Sequence, residues 1–186
     1  MTPIPASSVA PAGRYTPVAV FLHWFLALAI IAGFVVGLSM SDLPPTPARV
    51  RGINYHKWIG FTILWMSLLR LLWRLSHRPP SFPRSMPAWQ QRAALWGHRA
   101  LYVMFFIVPL FGWAHSSALG FRTVYLGLIP LPDFVPKDKA LAEALLNVHA
   151  TLAWTLATLV GVHVVAALKH QLIDKDGTLG RMWRTS

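Results

Sequence analysis

The sequence predicts an all-α integral membrane protein, an antiparallel four-helix bundle. Of its 186 residues, 55% are hydrophobic and only 12% are charged, whereas soluble domains carry about 25% charged residues. The mean hydropathy of +0.48 argues against a nucleic-acid-binding protein, although 17 Lys and Arg residues outnumber 6 Asp and Glu residues. The expected partner of this basic, apolar chain is therefore a lipid bilayer.

Four apolar stretches are long enough to cross a membrane, for which about 20 helical residues are needed. Three of them are free of charged residues, and the second carries Lys57, Arg70 and Arg74. The first stretch is longer than the apolar core of a typical signal peptide and lacks a small-residue cleavage site after it, which favours a spanning helix. The predicted helices occupy residues 17–41, 53–75, 97–120 and 144–170.

The segments outside these helices are expected to form tails and loops around one transmembrane domain at 17–176. Residues 1–16 are rich in Pro, Ala and Ser, which predicts a flexible cytoplasmic tail. Residues 177–186 are expected to form a C-terminal cytoplasmic tail. The long connection at 120–147 is expected to include a short surface helix at 137–146.

The distribution of Lys and Arg residues predicts the orientation of the bundle, because cytoplasmic loops carry an excess of them. Most of these residues fall on the side that holds both termini, namely Arg14, Arg70, Arg74, Arg78, Arg84, Arg92, Arg99, Lys169, Lys175, Arg181 and Arg184. The other side carries fewer, and most of the acidic residues lie there. Both termini are therefore expected to be cytoplasmic.

Histidines within the spanning helices are the main functional candidates, because ionisable groups inside a membrane are costly. The lack of cysteine in the sequence excludes disulfides, iron–sulfur clusters and thiolate metal sites. His149 and His163 share one face of the fourth helix but lie about 21 Å apart along its axis, so they cannot bind one metal together. At matching depths, His56 can meet His149 near the periplasmic side, and His23 can meet His163 near the cytoplasmic side.

Two bis-histidine sites stacked across a bilayer are the ligation pattern of a di-haem b cytochrome. Zinc is a weaker alternative because it usually takes more than two protein ligands. A further alternative is that the histidines only form hydrogen bonds between helices. Arg70 and Arg74 lie near the His56 face at the cytoplasmic end, where they can pair with haem propionates or extend to lipid phosphates.

The remaining histidines have less defined roles. His170 lies on the His163 face, about 10 Å closer to the cytoplasm. Flanked by Lys169, it is a candidate proton donor at a quinone site, with an ordinary polar helix end as the alternative. His98 is interpreted either as part of a cofactor site or as an interface cap. His115 has no depth-matched partner and is interpreted as structural.

Several motifs together resemble the bacterial cytochrome b561 family over nearly the whole chain beyond the N-terminal tail. They are His23-Trp24, the run from His56 through Gly60 to RLLWRL (70–75), Trp96-Gly97-His98, the HATLAWTLATLVGVHVVAALKH run (149–170) and TLGRM (178–182). The resemblance implies an inner-membrane protein with two b-type haems. His23 and His163 would hold one haem, and His56 and His149 would hold the other.

Within this family the chain is most similar to the free-standing superoxide oxidases, which take electrons from periplasmic superoxide and reduce ubiquinone. The resemblance thus implies an oxidoreductase, with His170 at the position linked to the quinone pocket. Some relatives instead serve as haem-bearing anchors or electron-transfer subunits of periplasmic dehydrogenases or hydrogenases, and this alternative stays open. A homodimer and a periplasmic redox partner are also open, and a small transporter with histidine proton relays would be free of haem.

Overall fold

The computed structural model describes residues 13–83 and 85–183 of the chain. Within these residues the long helices are α1 (Pro17–Ser41), α2 (Pro47–Ser76), α3 (Ala88–Ala118) and α4 (Lys139–Lys169). The short elements are strands β1 (Val124–Tyr125) and β2 (Ile129–Pro130), a π-helical turn (His170–Asp174) and a 3-10 turn (Leu179–Met182). The predicted all-α four-helix class is confirmed, and each long helix has the length and hydropathy needed to cross a membrane.

The helices run antiparallel, so the bundle has two ends with different chemistry. α1 packs along α2 and α3 along α4, and these two pairs meet mainly through α2 and α3. Near one end, Nε1 of Trp73 in α2 donates to Oγ1 of Thr16 just before α1, at 2.9 Å. We call this end, which also holds the end of α4, the terminal side. The opposite end, which holds the antiparallel β1–β2 hairpin, is the hairpin side.

Local capping explains where two of the helices begin. Oγ1 of Thr16 accepts a hydrogen bond from the backbone N–H of Ala19 at the start of α1, at 3.3 Å. A carboxylate oxygen of Asp138 caps α4 in the same way through the N–H of Leu141, at 2.8 Å. The predicted surface helix at 137–146 is consequently the beginning of α4 instead of a separate element.

Three helices begin earlier than the uncharged runs predict. α2, α3 and α4 start at residues 47, 88 and 139, ahead of the predicted 53, 97 and 144. An uncharged run corresponds to the part of a helix that lies in the hydrocarbon region. The start of the helix is determined by capping residues and prolines that lie outside this region. Each of these helices therefore extends beyond the apolar part of its sequence.

The outer surface of the bundle is strongly apolar. Large side chains such as Phe21, Leu28 and Val165 are each more than 60% exposed. Among the described residues, Leu101, Val108 and Leu156 form a small buried apolar cluster between α3 and α4. Such a surface is suited to lipid acyl chains and would be costly in water.

The connection between α3 and α4 folds over the hairpin side. Nε1 of Trp58 in α2 donates to the carbonyl of Val124, at 2.7 Å, and Oγ1 of Thr62 lies 2.9 Å from the hydroxyl of Tyr125. Gly127 adopts a φ of +72° in the turn between the strands, a conformation that glycine adopts without strain. The hairpin is thereby fixed against α2, close to His56.

The described part of the C-terminal segment folds back onto the terminal side. Nε1 of Trp24 donates to the carbonyl of Met182, at 2.8 Å, and the rings of Trp24 and Trp183 meet edge to face. The guanidinium of Arg181 donates to the carbonyl of Ser81 in the α2–α3 loop, at 2.7 Å. The predicted flexible tail falls mainly on residues 1–12, which lie outside the described residues, as do 184–186.

Candidate functional site

His56 of α2 and His149 of α4 face each other at the hairpin side. Their ring centres are 6.0 Å apart, with the ring planes at 84°. Nδ1 of His56 lies 3.0 Å from the carbonyl of Gly33, and Nδ1 of His149 lies 2.9 Å from the carbonyl of Val108. Because a carbonyl only accepts, each Nδ1 is the donor, and Nε2 of each ring carries the lone pair that a metal requires.

Two glycines allow these imidazoles to lie close to neighbouring helices. A Cβ atom at Gly37 of α1 would lie 3.0 Å from Cε1 of His56. A Cβ atom at Gly112 of α3 would lie 3.0 Å from Cε1 of His149. A side chain at either position would therefore displace the ring, so the glycines help to define where the two imidazoles lie.

Open space flanks this histidine pair on two sides. A cavity of about 330 Å³, lined by residues of all four long helices, reaches His56, His149 and Gly60. A second cavity of about 60 Å³ lies between α2 and α3 beneath the hairpin. Trp113 lines this smaller cavity, and its buried Nε1 has no hydrogen-bond partner among the described residues. A ligand bound at this histidine pair would find the Trp113 N–H as a free donor, and Lys57 also lines the smaller cavity.

A second histidine cluster lies at the terminal side. The ring centres of His23 in α1 and His163 in α4 are 6.1 Å apart. His98 of α3 joins them, with its ring centre 5.4 Å from that of His163. The structure thus brings together both histidine pairs expected from the sequence, and it places His98, whose role was open, beside the terminal-side pair.

The two larger spacings fit an iron ion held between two imidazoles. A metal–imidazole bond is about 2.0 Å long and the ring centre lies about 1.2 Å behind the nitrogen, so two rings bound to one metal have centres about 6.4 Å apart. The spacings of 6.0 Å and 6.1 Å are close to this value, whereas the 5.4 Å between His98 and His163 is shorter. The spacing of each of these two pairs therefore fits one metal ion bound by both rings, and His23 fits better than His98 as the partner of His163.

Arg70 and Arg74 of α2 converge on Tyr102 of α3, one helical turn after His98. Nε of Arg70 donates to the hydroxyl of Tyr102 at 3.1 Å. The guanidinium carbon of Arg74 lies 5.7 Å from the centre of the same ring. Guanidinium groups in this position are suited to the carboxylates of a haem bound at the terminal-side histidines.

His170 begins the π-helical turn after α4 and contacts two carboxylates. Its Nδ1 lies 2.7 Å from Oδ2 of Asp176 and 3.0 Å from Oδ2 of Asp174. Nζ of Lys169 is bound to the same Asp174 oxygen at 2.6 Å. An ionised carboxylate only accepts hydrogen bonds, so Nδ1 carries a proton and Nε2 is the atom that can exchange a proton with another molecule.

The pKa of the Asp176 carboxyl lies below its usual range. Burial alone would raise this pKa, but the hydrogen bonds donated by Thr178 and the neighbouring His170 together outweigh burial. The backbone N–H of Thr178 donates to Oδ1 at 2.9 Å. Asp176 is therefore ionised at neutral pH and provides a fixed negative charge beside the imidazole.

The other two described histidines make structural contacts. Nδ1 of His115 donates to the carbonyl of Ala142, at 2.9 Å, which joins α3 to α4. His77 is exposed and stacks on Trp73 with ring centres 3.8 Å apart. Neither ring faces another histidine ring within the described residues.

Some residues that contribute to these sites are not predicted from the sequence. Asp174 and Asp176 follow His170 closely in the chain, and this proximity is a signal that could have identified them. Gly112 and Trp113 have no comparable signal, because an apolar helix gives no indication of which face meets His149. Their roles became apparent only from the packing of α3 against α4.

A family model described as prokaryotic cytochrome b561 matches residues 14–185. The chain is 32% identical over 170 residues to cytochrome b561 homolog 2 of Escherichia coli (strain K12), covering 91% of this chain and 90% of the relative. It is 31% identical over 172 residues to cytochrome b561 homolog 1 of the same organism, covering 91% and 96%. It is 28% identical over 170 residues to the probable superoxide oxidase CybB of Yersinia pestis, covering 91% and 95%. These matches span all four helices and both histidine pairs.

Proposed function

Because the chain belongs to the prokaryotic cytochrome b561 family, we propose that it is a di-haem cytochrome that oxidises periplasmic superoxide and reduces ubiquinone in the bacterial inner membrane. Family membership makes it a membrane haem protein of electron transfer. The number of haems, the electron donor, the acceptor and the membrane are parts of the proposal. The similarity to the probable superoxide oxidase of Yersinia pestis supports the choice of donor.

The observation that carries the proposal is the presence of two histidine pairs at opposite ends of the bundle. Each pair joins α4 to one other helix, at ring spacings of 6.0 Å and 6.1 Å. We assign one haem to His56 and His149 and the other to His23 and His163. A haem with two histidine ligands supplies a one-electron carrier. We assign the propionates of the terminal-side haem to Arg70 and Arg74.

The two half-reactions place different demands on the protein. Superoxide loses one electron and leaves as dioxygen, so its oxidation requires no proton donor. Ubiquinone takes up two electrons and two protons to become ubiquinol, so two superoxide ions are consumed for each quinone. The quinone site therefore needs a group that delivers protons from the adjacent aqueous phase.

His170 is the group that we assign to proton delivery. Asp176 and Asp174 hold its Nδ1–H, which directs Nε2 away from the carboxylates. Lys169, which is bound to Asp174 but still 40% exposed, is our candidate for a polar contact to the quinone headgroup.

The orientation follows from the charge distribution. Most Lys and Arg residues lie at the terminal side, so we place this side and both termini in the cytoplasm. Superoxide would then be oxidised at the hairpin side, and ubiquinone would be reduced near His170. The protons that ubiquinone takes up would then come from the cytoplasm.

Stopped-flow mixing of the purified holoprotein with superoxide tests the proposal. We expect haem reduction on mixing, reoxidation when ubiquinone is present, and about two superoxide ions consumed for each ubiquinol formed. Prior addition of superoxide dismutase is the control and should abolish the signal. If superoxide leaves the haem oxidised and a co-purifying dehydrogenase or hydrogenase subunit reduces it, the protein is an electron-transfer subunit instead.

A further inference from the structure

A group of arginines lines a small pocket at the terminal side. Among the described residues, Arg70 and Arg74 of α2 form its half-buried wall, and Arg14 and Arg78 are exposed at its rim. We call this group the arginine pocket. Its volume is about 50 Å³, and since roughly 10–15 Å³ suffices for one water molecule, it accommodates a group of several heavy atoms, such as a phosphate.

No carboxylate side chain of the protein neutralises the arginine pocket. The chain has 6 Asp and Glu residues, all of them within the described residues, and none forms an ion pair with these arginines there. The acidic residues of the terminal side, Asp174 and Asp176, are bound to Lys169 and His170. Two propionates at Arg70 and Arg74, as we assign them, would balance two of the four positive charges of the arginine pocket. The two remaining positive charges, at Arg14 and Arg78, attract a further anion.

The walls of the arginine pocket are held by contacts between distant parts of the chain. Trp73 donates to Thr16 at 2.9 Å and stacks on His77, which fixes the segment before α1 against the end of α2. Met182 lines the pocket from the C-terminal segment, and Trp24 donates to its carbonyl at 2.8 Å. The pocket is therefore part of the packed structure and not a group of independent surface arginines.

The arginine pocket lies where the lipid phosphates of a bilayer are expected. It is formed around the beginning of α1 and the end of α2, the points at which spanning helices leave the hydrocarbon region. Basic pockets between spanning helices on the cytoplasmic side bind phosphorylated headgroups. We propose that the arginine pocket binds the phosphate of an anionic phospholipid, with Arg14 and Arg78 contacting the headgroup at the rim. The arginine pocket shares Arg70 and Arg74 with the haem site of the proposed function, so the test changes only Arg14 and Arg78.

Native mass spectrometry of the detergent-solubilised holoprotein tests this site. Phosphatidylglycerol, phosphatidylcholine with the same acyl chains, and inorganic phosphate are titrated separately. We expect phosphatidylglycerol to bind, with little binding of the other two. In the double variant Arg14→Gln/Arg78→Gln, phosphatidylglycerol should bind about thirtyfold more weakly, since each arginine near an anionic lipid contributes about a fivefold gain in affinity.

Arg99→Gln is the matched control, because Arg99 is on the same side but packs over Trp96 outside the pocket. This variant should bind phosphatidylglycerol like the unchanged protein, and haem content measured on each sample reports whether the fold is preserved. Equal binding of the two phospholipids would overturn the proposal. So would an equal loss in Arg99→Gln, which would indicate a general surface-charge effect. Inorganic phosphate binding with the same affinity and the same dependence on Arg14 and Arg78 would assign the pocket to a free anion instead of a lipid.

Discussion

The two histidine pairs lie at opposite ends of one bundle but are surrounded by different groups. At the hairpin side, backbone carbonyls of Gly33 and Val108 accept hydrogen bonds from His56 and His149. The cavity beside this pair is lined mainly by apolar side chains. The two hydrogen bonds therefore orient both imidazole rings, and the cavity leaves space next to them.

At the terminal side the surroundings are rich in charge. Neither His23 nor His163 has a hydrogen-bonded ring nitrogen within the described residues, and His98 lies beside them. Arg70 and Arg74 are adjacent, and the His170 cluster follows at the end of α4. The hairpin-side pair is therefore oriented by backbone hydrogen bonds beside an apolar cavity, whereas the terminal-side pair lies beside cationic side chains and the carboxylates that contact His170.

The largest predicted effect is the loss of one haem when one histidine of either pair is replaced. His149→Ala should remove the hairpin-side haem and His163→Ala the terminal-side haem, each leaving about one b-type haem per chain, because the other pair keeps both ligands. Haem content by pyridine haemochrome, normalised to protein concentration, measures this result. Loss of both haems in each variant would show that the two sites are not independent.

His98→Ala and His115→Ala are the matched controls for this prediction. Both should retain two haems, because the short His98–His163 spacing and the His115 bond to Ala142 do not fit a role for either residue in holding a haem. If His98→Ala loses the terminal-side haem and His23→Ala keeps it, the assignment of His23 is wrong.

A second predicted effect concerns proton delivery at the terminal side. His170→Ala should slow ubiquinone reduction about a hundredfold, the lower end of the range for losing a general acid. Haem spectra and haem reduction by superoxide should be unchanged, because His170 belongs to neither histidine pair. A loss of haem in this variant would contradict the assigned role.

A third predicted effect concerns the contact between Gly112 and His149 at the hairpin side. Gly112→Ala should displace the His149 ring, since the new Cβ atom would lie 3.0 Å from its Cε1. We expect haem binding at this site to weaken about tenfold, typical of altered support for a ligand, with the terminal-side haem retained. Gly161→Ala in α4 is the control, because a Cβ atom there meets no atom within 4 Å. Equal haem loss in both variants would indicate general destabilisation of the bundle.

The smallest predicted effect is the pH dependence of the C-terminal turn. Because the pKa of Asp176 is lower in the folded protein, its stabilising effect is fully present above the ordinary aspartate pKa of about 3.9 and is lost as the pH falls through the lower folded value. Hydrogen exchange at 176–183, corrected for intrinsic rates, should show protection from pH 7 down to about pH 4 and loss of protection below it. Asp176→Asn should remove this dependence, and an unchanged profile in that variant would refute the role of Asp176.

The sequence predicted those features that depend on distance along a helix. Spanning helices could be identified because the bilayer defines their length, and the histidine pairs could be matched because depth and face follow from helical periodicity. The placement of His98 could not be predicted, since it depends on the rotation of α3 about its axis. The carboxylates of Asp174 and Asp176 reach His170 only because the chain forms a π-helical turn after α4 and then adopts a left-handed conformation at Lys175.

Quantifying haem in the purified protein tests whether this bundle holds two haems, one at each histidine pair. The measurement combines a pyridine haemochrome assay, a reduced-minus-oxidised spectrum and an independent protein determination. We expect b-type haem at about two per chain. One haem per chain at saturation, or none, would contradict it.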